Sequence, residues 1–238
     1  MYRRLKAPEL LSRARYTTHD VFAKLGTAPP ITALDQASID TVRRRLQTAW
    51  QQGTPAHMRF SYSKAQEPAT AAVLLALCSV NGQPSVLFEE RNNRLSSHGG
   101  EVCFAGGKAD PMDRSLEHTA LRETWEELGL APDRVRVVGR IPPVPNKTRR
   151  IRVHTVVGMV AGELDVSALD VNREEVHRAF TLPISHFYRM EARSATMFRG
   201  RCLIPQYQSD KPGLAIWGLT AFILHEFLCR VSAAGTSE

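Results

Sequence analysis

Three glutamates crowded into one short stretch, Glu123, Glu126 and Glu127, are the residues of this chain best suited to chemistry. At about 100° per residue on a helix, Glu126 lies roughly 60° to one side of Glu123 and Glu127 roughly 40° to the other. The carboxylates therefore share an arc of about 100°, while Leu121, Trp125 and Leu128 fall near 160°, 200° and 140°. That wheel predicts an acidic face and an apolar face, with Trp125 among the residues that pack on a sheet. Like charges so placed repel. A hard divalent cation, Mg²⁺ or Mn²⁺, takes oxygen ligands and would relieve the repulsion. A solvated acidic helix face is the other reading, and these three residues alone leave both open. Arg122, beside them, has the planar fork that orients a carboxylate.

The elements that must hold this helix are legible on either side of it. A strand over Glu101–Phe104 runs into Gly106-Gly107, where the lack of a Cβ lets backbone approach a phosphate. A helix follows over Ser115–Leu128, with Asp113 or Ser115 as its N-cap and Gly129 where a C′ glycine belongs. Upstream, the apolar run Ala69–Val80 suits a strand buried on both faces. Asn81-Gly82 signals a hairpin turn, and Pro84–Phe88 returns as the partner strand. Val135–Ile141 and Arg150–Met159 read as further strands. Asp35–Gln51, Asn172–Phe180 and Ala221–Val231 read as helices. This mixture predicts one α/β domain, a mixed sheet covered by helices on both faces.

The segment Arg122-Glu123-Thr124-Trp125-Glu126-Glu127-Leu128-Gly129-Leu130, with Gly107 ahead of it, resembles the box of the Nudix hydrolase superfamily. Arg91-Asn92-Asn93-Arg94-Leu95 and the run His98 to Lys108 resemble the additional motif of the coenzyme A diphosphatase branch, within it the mitochondrial enzyme of animals. The likeness extends through Asp110-Pro111, Asp113 and Ile216 to Ala221, and covers about residues 70–230. Asp113 stands where the box usually has Glu, one extra residue precedes Arg122, Thr124 replaces an apolar residue, and Ala105 replaces a proline.

The resemblance implies a Nudix-type α/β/α sandwich and hydrolysis of a diphosphate linkage. Glu123 and Glu127 would be the principal Mg²⁺ or Mn²⁺ ligands, with Glu126 a further ligand or catalytic group. Gly106, Gly107 and Lys108 would meet the phosphates. Coenzyme A or its thioesters would be the small-molecule substrate, giving 4′-phosphopantetheine and adenosine 3′,5′-bisphosphate. Arg91 and Arg94 lead the candidate cations for the 3′-phosphate, ahead of Lys147, Arg149 and Arg150. Glu101 reads equally as an extra ligand or base and as a strand-end carboxylate, and His98 as a residue that shapes the loop. A Nudix hydrolase of NADH or ADP-ribose is the alternative. A catalytically silent Nudix module ranks behind both, because the carboxylate set is intact.

Charge and composition narrow the remaining choices. The net charge of +7 is uneven: residues 1–50 hold nine basic and four acidic groups, so the rest of the chain carries only +2. A broad nucleic-acid-binding surface is not implied. Cys78, Cys103, Cys202 and Cys229 lack zinc-site spacing and read as free thiols in a reducing compartment. No apolar run approaches the ~18 residues of a membrane span. Met1–His19 carries five Arg or Lys against one acid, interleaved with leucines and hydroxyl residues. That pattern reads as a mitochondrial presequence, which predicts a matrix location, with an ordinary basic N-terminal helix as the other reading. The expected organisation is a leader over 1–32, a helix and loop over 33–68, the hydrolase domain over 69–232 and a tail over 233–238.

Overall fold

The computed structural model describes residues 17–26, 29–53, 60–62, 67–198, 202–211 and 213–232. The apolar run Ala69–Val80 forms β1. Its Ala71, Leu75 and Leu77 enter one hydrophobic layer, and its Ala72, Leu74, Ala76 and Cys78 enter the other. A strand without a wet face belongs at the centre of a sheet with helices on both sides. Asn81-Gly82, both at positive φ, turn the chain into β2 (Gln83–Arg91), which returns antiparallel. On its other edge β1 pairs in parallel with β6 (Ile151–Glu163), and β6 pairs antiparallel with β5 (Val135–Pro145).

The β1–β2 ladder is short, running from Leu77 opposite Val86 to Val80 opposite Gln83. Beyond it the two strands part, and the segment from β3 (Val102–Cys103) to β4 (Gly106–Lys108) fills the fork. β3 pairs with β2, Glu89 opposite Cys103. β4 pairs with β1, Val73 opposite Gly106. A Cβ on Gly106 would overlap the β1 backbone at Ala72 and Val73, so this close crossing requires glycine,. One short segment thus ties the end of β2 to the beginning of β1.

Helix α3 (Leu116–Leu128) covers one face of the sheet. Helices α2 (Gln36–Gln51) and α4 (Gly218–Ser232) cover the other, through Val42, Leu46, Leu224 and Phe227. The result is the expected α/β/α sandwich. Asp35 caps α2, accepting from the Ser38 N–H at 2.8 Å.

Two expectations are corrected. Asn172–Phe180 is not a helix: residues 172–175 turn, and Val176–Pro183 forms β7 against the outer edge of β2. Val176, Phe180 and Leu182 are buried in alternation with wetter neighbours, a period of two that the sequence reading missed,. Trp125 does not pack on the sheet; it is 57% exposed. The buried stripe of α3 is instead Ala120, Thr124 and Leu128, at about 60°, 100° and 140° on the same wheel, so Trp125 near 200° lies past its edge,. Thr124 is satisfied inside it, its hydroxyl donating to the Ala120 carbonyl at 2.7 Å.

A second sheet of three strands, in the order β10 (Ala215–Ile216), β9 (Cys202–Gln208), β8 (Arg193–Phe198), lies beside α4. Short helix α1 (Thr18–Phe22) docks there, Phe22 standing edge-on to Tyr207 and His225. Phe22, Leu25 and Ile31 are all buried in the larger core. The leader up to residue 16, residues 54–59 and 63–66 of the expected helix and loop over 33–68, and the tail after 232 lie outside the described residues. No helix among the described residues is long and apolar enough to cross a membrane. Cys78, Cys103 and Cys229 are free thiols.

Candidate active site

Ser115 starts α3, its hydroxyl accepting from the His118 N–H at 3.1 Å, and Gly129 ends it in the left-handed conformation at φ 66°. Just before the cap, Asp113 receives a two-pronged bond from Arg122, Nε to Oδ1 and Nη2 to Oδ2, each 3.0 Å. His118 Nδ1 at 2.8 Å and the Thr119 hydroxyl at 2.8 Å complete its partners, with the Asp110 N–H at 2.9 Å. The Arg122 fork, ahead of the other donors, holds the Asp113 carboxyl well below the ordinary range. Arg122 also reaches Glu123 Oε1 at 2.9 Å and Glu126 Oε2 at 3.0 Å. Its role is to gather three carboxylates around one guanidinium.

One turn further on, the balance of charge changes. The Glu123 carboxyl lies against Gly107 so closely that a Cβ there would overlap it. Glu127 is 3% exposed, and its Oε2 accepts the Gly106 N–H at 2.8 Å. Arg91 Nη1 stands 3.5 Å from Glu127 Oε1 and 3.6 Å from Oε1 of Glu89, a carboxylate on β2 with no exposure at all. The Cys103 thiol donates to that same Glu89 oxygen at 3.2 Å. Glu89 Oε2 is buried with no hydrogen-bond partner among the described residues. Burial pushes both carboxyls up, Glu127 to about 8 and Glu89 to about 7, and in Glu127 the nearby Glu89 adds to it. Glu123 is also raised, first by burial.

Of the residues named from sequence, the fold brings together Glu123, Glu127, Arg122, Arg91, Gly106 and Gly107. Glu126 sits on the rim, its side chain 53% exposed. Glu101 faces the loop, with His98 Nδ1 2.9 Å from its Oε2. Arg94 and Lys108 are exposed at the same end of the sheet. In the β5–β6 turn Arg149 donates to the Ser61 hydroxyl at 3.0 Å. Among the described residues no three carboxylate, imidazole or thiol groups yet converge on a point as ligands. The donors nevertheless fit a hard cation: they are oxygen-only, with Glu127 buried and Glu123 half-buried beside it,.

Residues 68–200 match the NUDIX domain family. The chain belongs to the Nudix family. It is 42% identical over 176 residues to the mitochondrial coenzyme A diphosphatase NUDT8 of Homo sapiens, a match covering 72% of each chain. Nudix hydrolase 3 of Caenorhabditis elegans is 33% identical over 173 residues, 66% of this chain and 71% of that one. Among solved structures, a MutT/nudix protein from Enterococcus faecalis aligns with TM-score 0.43 and 16% identity over 83% of this chain and 73% of its own. The protein is thus a Nudix hydrolase, an enzyme, with its box on β4 and α3. Sequence reasoning missed one carboxylate that the fold brings beside Glu127 and Arg91, Glu89. The available signal was a pair of acids, Glu89-Glu90, closing an apolar strand immediately before Arg91.

Proposed function

We propose that this Nudix hydrolase cleaves the diphosphate linkage of coenzyme A, and of its thioesters, with Mg²⁺ or Mn²⁺. The observation that carries the reading is the half-buried Glu123 and the buried Glu127 set together against the Gly106-Gly107 backbone. The bound cation would neutralise the diphosphate and lower the pKa of water. Glu123 and Glu127 would hold it, with Glu126 turning in from the rim. Arg122 keeps Glu123 and Glu126 oriented. Glu101, held by His98, would take a proton from the attacking water. Water adds to one phosphorus, the bridging P–O bond breaks, and the two products each leave with a phosphate. Arg91 and Arg94, with the exposed Lys108, offer the charge that a 3′-phosphate requires.

The human relative, a coenzyme A diphosphatase, supports this substrate over other diphosphates. Incubating the protein with coenzyme A and Mn²⁺ and weighing the products tests it. We expect 4′-phosphopantetheine and adenosine 3′,5′-bisphosphate. Intact coenzyme A beside cleaved NADH or ADP-ribose would displace the substrate and keep the site.

The basic leader and the mitochondrial relatives support a matrix location. The burial of Phe22, Leu25 and Ile31 supports a removable part that ends before Thr17 rather than at residue 32. A chain lacking 1–16 should melt with the full chain. One lacking 1–32 forfeits three core side chains at about 2–5 kcal/mol apiece and should not fold.

A further inference from the structure

The box supplies carboxylates from one helix only, yet the most deeply buried carboxylate of the site comes from the sheet. Glu89 lies on β2 in the fork where β2 has left β1, directly across from Cys103 on β3. It has no solvent exposure, and one of its two oxygens has no partner among the described residues. Its other oxygen shares the Arg91 guanidinium with Glu127. Two carboxylates thus flank a single cationic group; among the described residues Glu127 has the Gly106 N–H besides, and Glu89 has only the Cys103 thiol.

Buried carboxylates are normally paired or bound to metal, because an unpaired one is costly. A purely structural role would be served at lower cost by glutamine or by an apolar residue of similar size, since a half-satisfied buried network destabilises. Glu90, the next residue, shows the ordinary solution: its Oε2 takes Arg178 Nε at 2.6 Å. Among the described residues Glu89 has no comparably close partner; its Arg91 contact is 3.6 Å.

We infer that Glu89 is a further metal-site carboxylate of this enzyme, contributed by β2 opposite Glu127 and completing from the sheet the ligand set that α3 begins. A cation drawn between Glu89 and Glu127 takes over the charge that Arg91 supplies there. The guanidinium is then free to turn toward a substrate phosphate, which joins the two roles available to Arg91. The inference rests on the metal-dependent reading above and adds a ligand to it.

Mn²⁺ alone, titrated calorimetrically into the full-length protein and its Glu89→Gln and Glu127→Gln variants, tests the assignment without any turnover. Glu89→Gln should weaken Mn²⁺ by about tenfold or more, and Glu127→Gln by at least as much. In chelator, Glu89→Gln should melt no lower than the parent, because it removes a buried charge, while the rise in melting temperature on adding Mn²⁺ should shrink. Glu89→Asp keeps the charge but retracts it by one methylene, and should fall between parent and Glu89→Gln in Mn²⁺ affinity. It serves as the reporter should Glu89→Gln fail to fold. Parent-like Mn²⁺ affinity and stoichiometry in the Glu89 variants, with Glu127→Gln weakened, would overturn the assignment and leave the diphosphatase reading intact. If the parent itself takes up no Mn²⁺, the metal-dependent reading fails, and this inference with it.

Discussion

The two ends of α3 handle negative charge in opposite ways. Around Asp113 every donor needed is present: an arginine fork, an imidazole, a hydroxyl and a backbone N–H. Around Glu127 the carboxylates of Glu89 and Glu123 gather in a buried space with Arg91 as the one guanidinium described between Glu89 and Glu127. The first arrangement holds its proton affinity down, and the second drives it up. The Asp113 end is a finished structural clasp. The Glu127 end is an electrostatic demand that a cation would meet.

Substitution separates the two ends, and the largest effect should come from the unfinished one. Glu127→Gln should lower kcat by about a thousandfold, equivalent to about 4 kcal/mol of barrier, in a steady-state assay with Mn²⁺. The same variant in chelator should be at least as resistant to urea as the parent. If it unfolds more readily, the contrast between the ends is wrong. Asp113→Asn strikes the finished end. It should cost about 2 kcal/mol in urea denaturation, because it weakens charged hydrogen bonds to Arg122, and its kinetic effect should follow from loss of Arg122 alignment.

Gly107→Ala should be milder. Its Cβ must displace the Glu123 carboxyl, the far end of a flexible side chain, so stability should be nearly unchanged. Activity should fall about tenfold, read as kcat at saturating metal.

The smallest effect is a slope with pH. Folded Glu127 and Glu89 hold protons more tightly than the unfolded chain, so the metal-free protein binds more protons when native. Its stability should therefore fall as pH rises from about 4.5 to about 8,. Asp113 does the reverse. Its contribution is present above the unfolded value of 3.8 and is lost on acidification below it,. Urea midpoints across pH should show the alkaline slope flatten in Glu127→Gln and the acid slope flatten in Asp113→Asn.

How much of this was legible depends on whether local or distant contacts decide it. The ends of α3, its glycine stop, the hairpin at Asn81-Gly82 and the two-faced burial of β1 are local or periodic signals, and all appear as read. Trp125 was misplaced because the buried stripe is centred on Thr124, a residue that looks polar until its hydroxyl is seen bonded to the Ala120 carbonyl. The helix expected over Asn172–Phe180 failed because β2, far away in sequence, offers an edge that rewards an extended chain,. Glu89 was passed over for a related reason: the acid pair before Arg91 is visible, but its partners are not. Nothing in its own neighbourhood says that β2 abandons β1, or that the vacated fork lies beneath α3. Arg91 was picked out as a cation, but its place between two carboxylates is a tertiary fact.

The fork between β1 and β2 also has a consequence in time. The hairpin closes over a two-residue turn, whereas Gly106 must find Val73 across about thirty residues, a slower search with a larger loop-closure cost,. The glycine pair and the carboxylates therefore meet only when the wedge seats, after most of the strand content has formed. On refolding from urea, recovery of activity should trail recovery of sheet signal, and the site should be the last part of the molecule to exist.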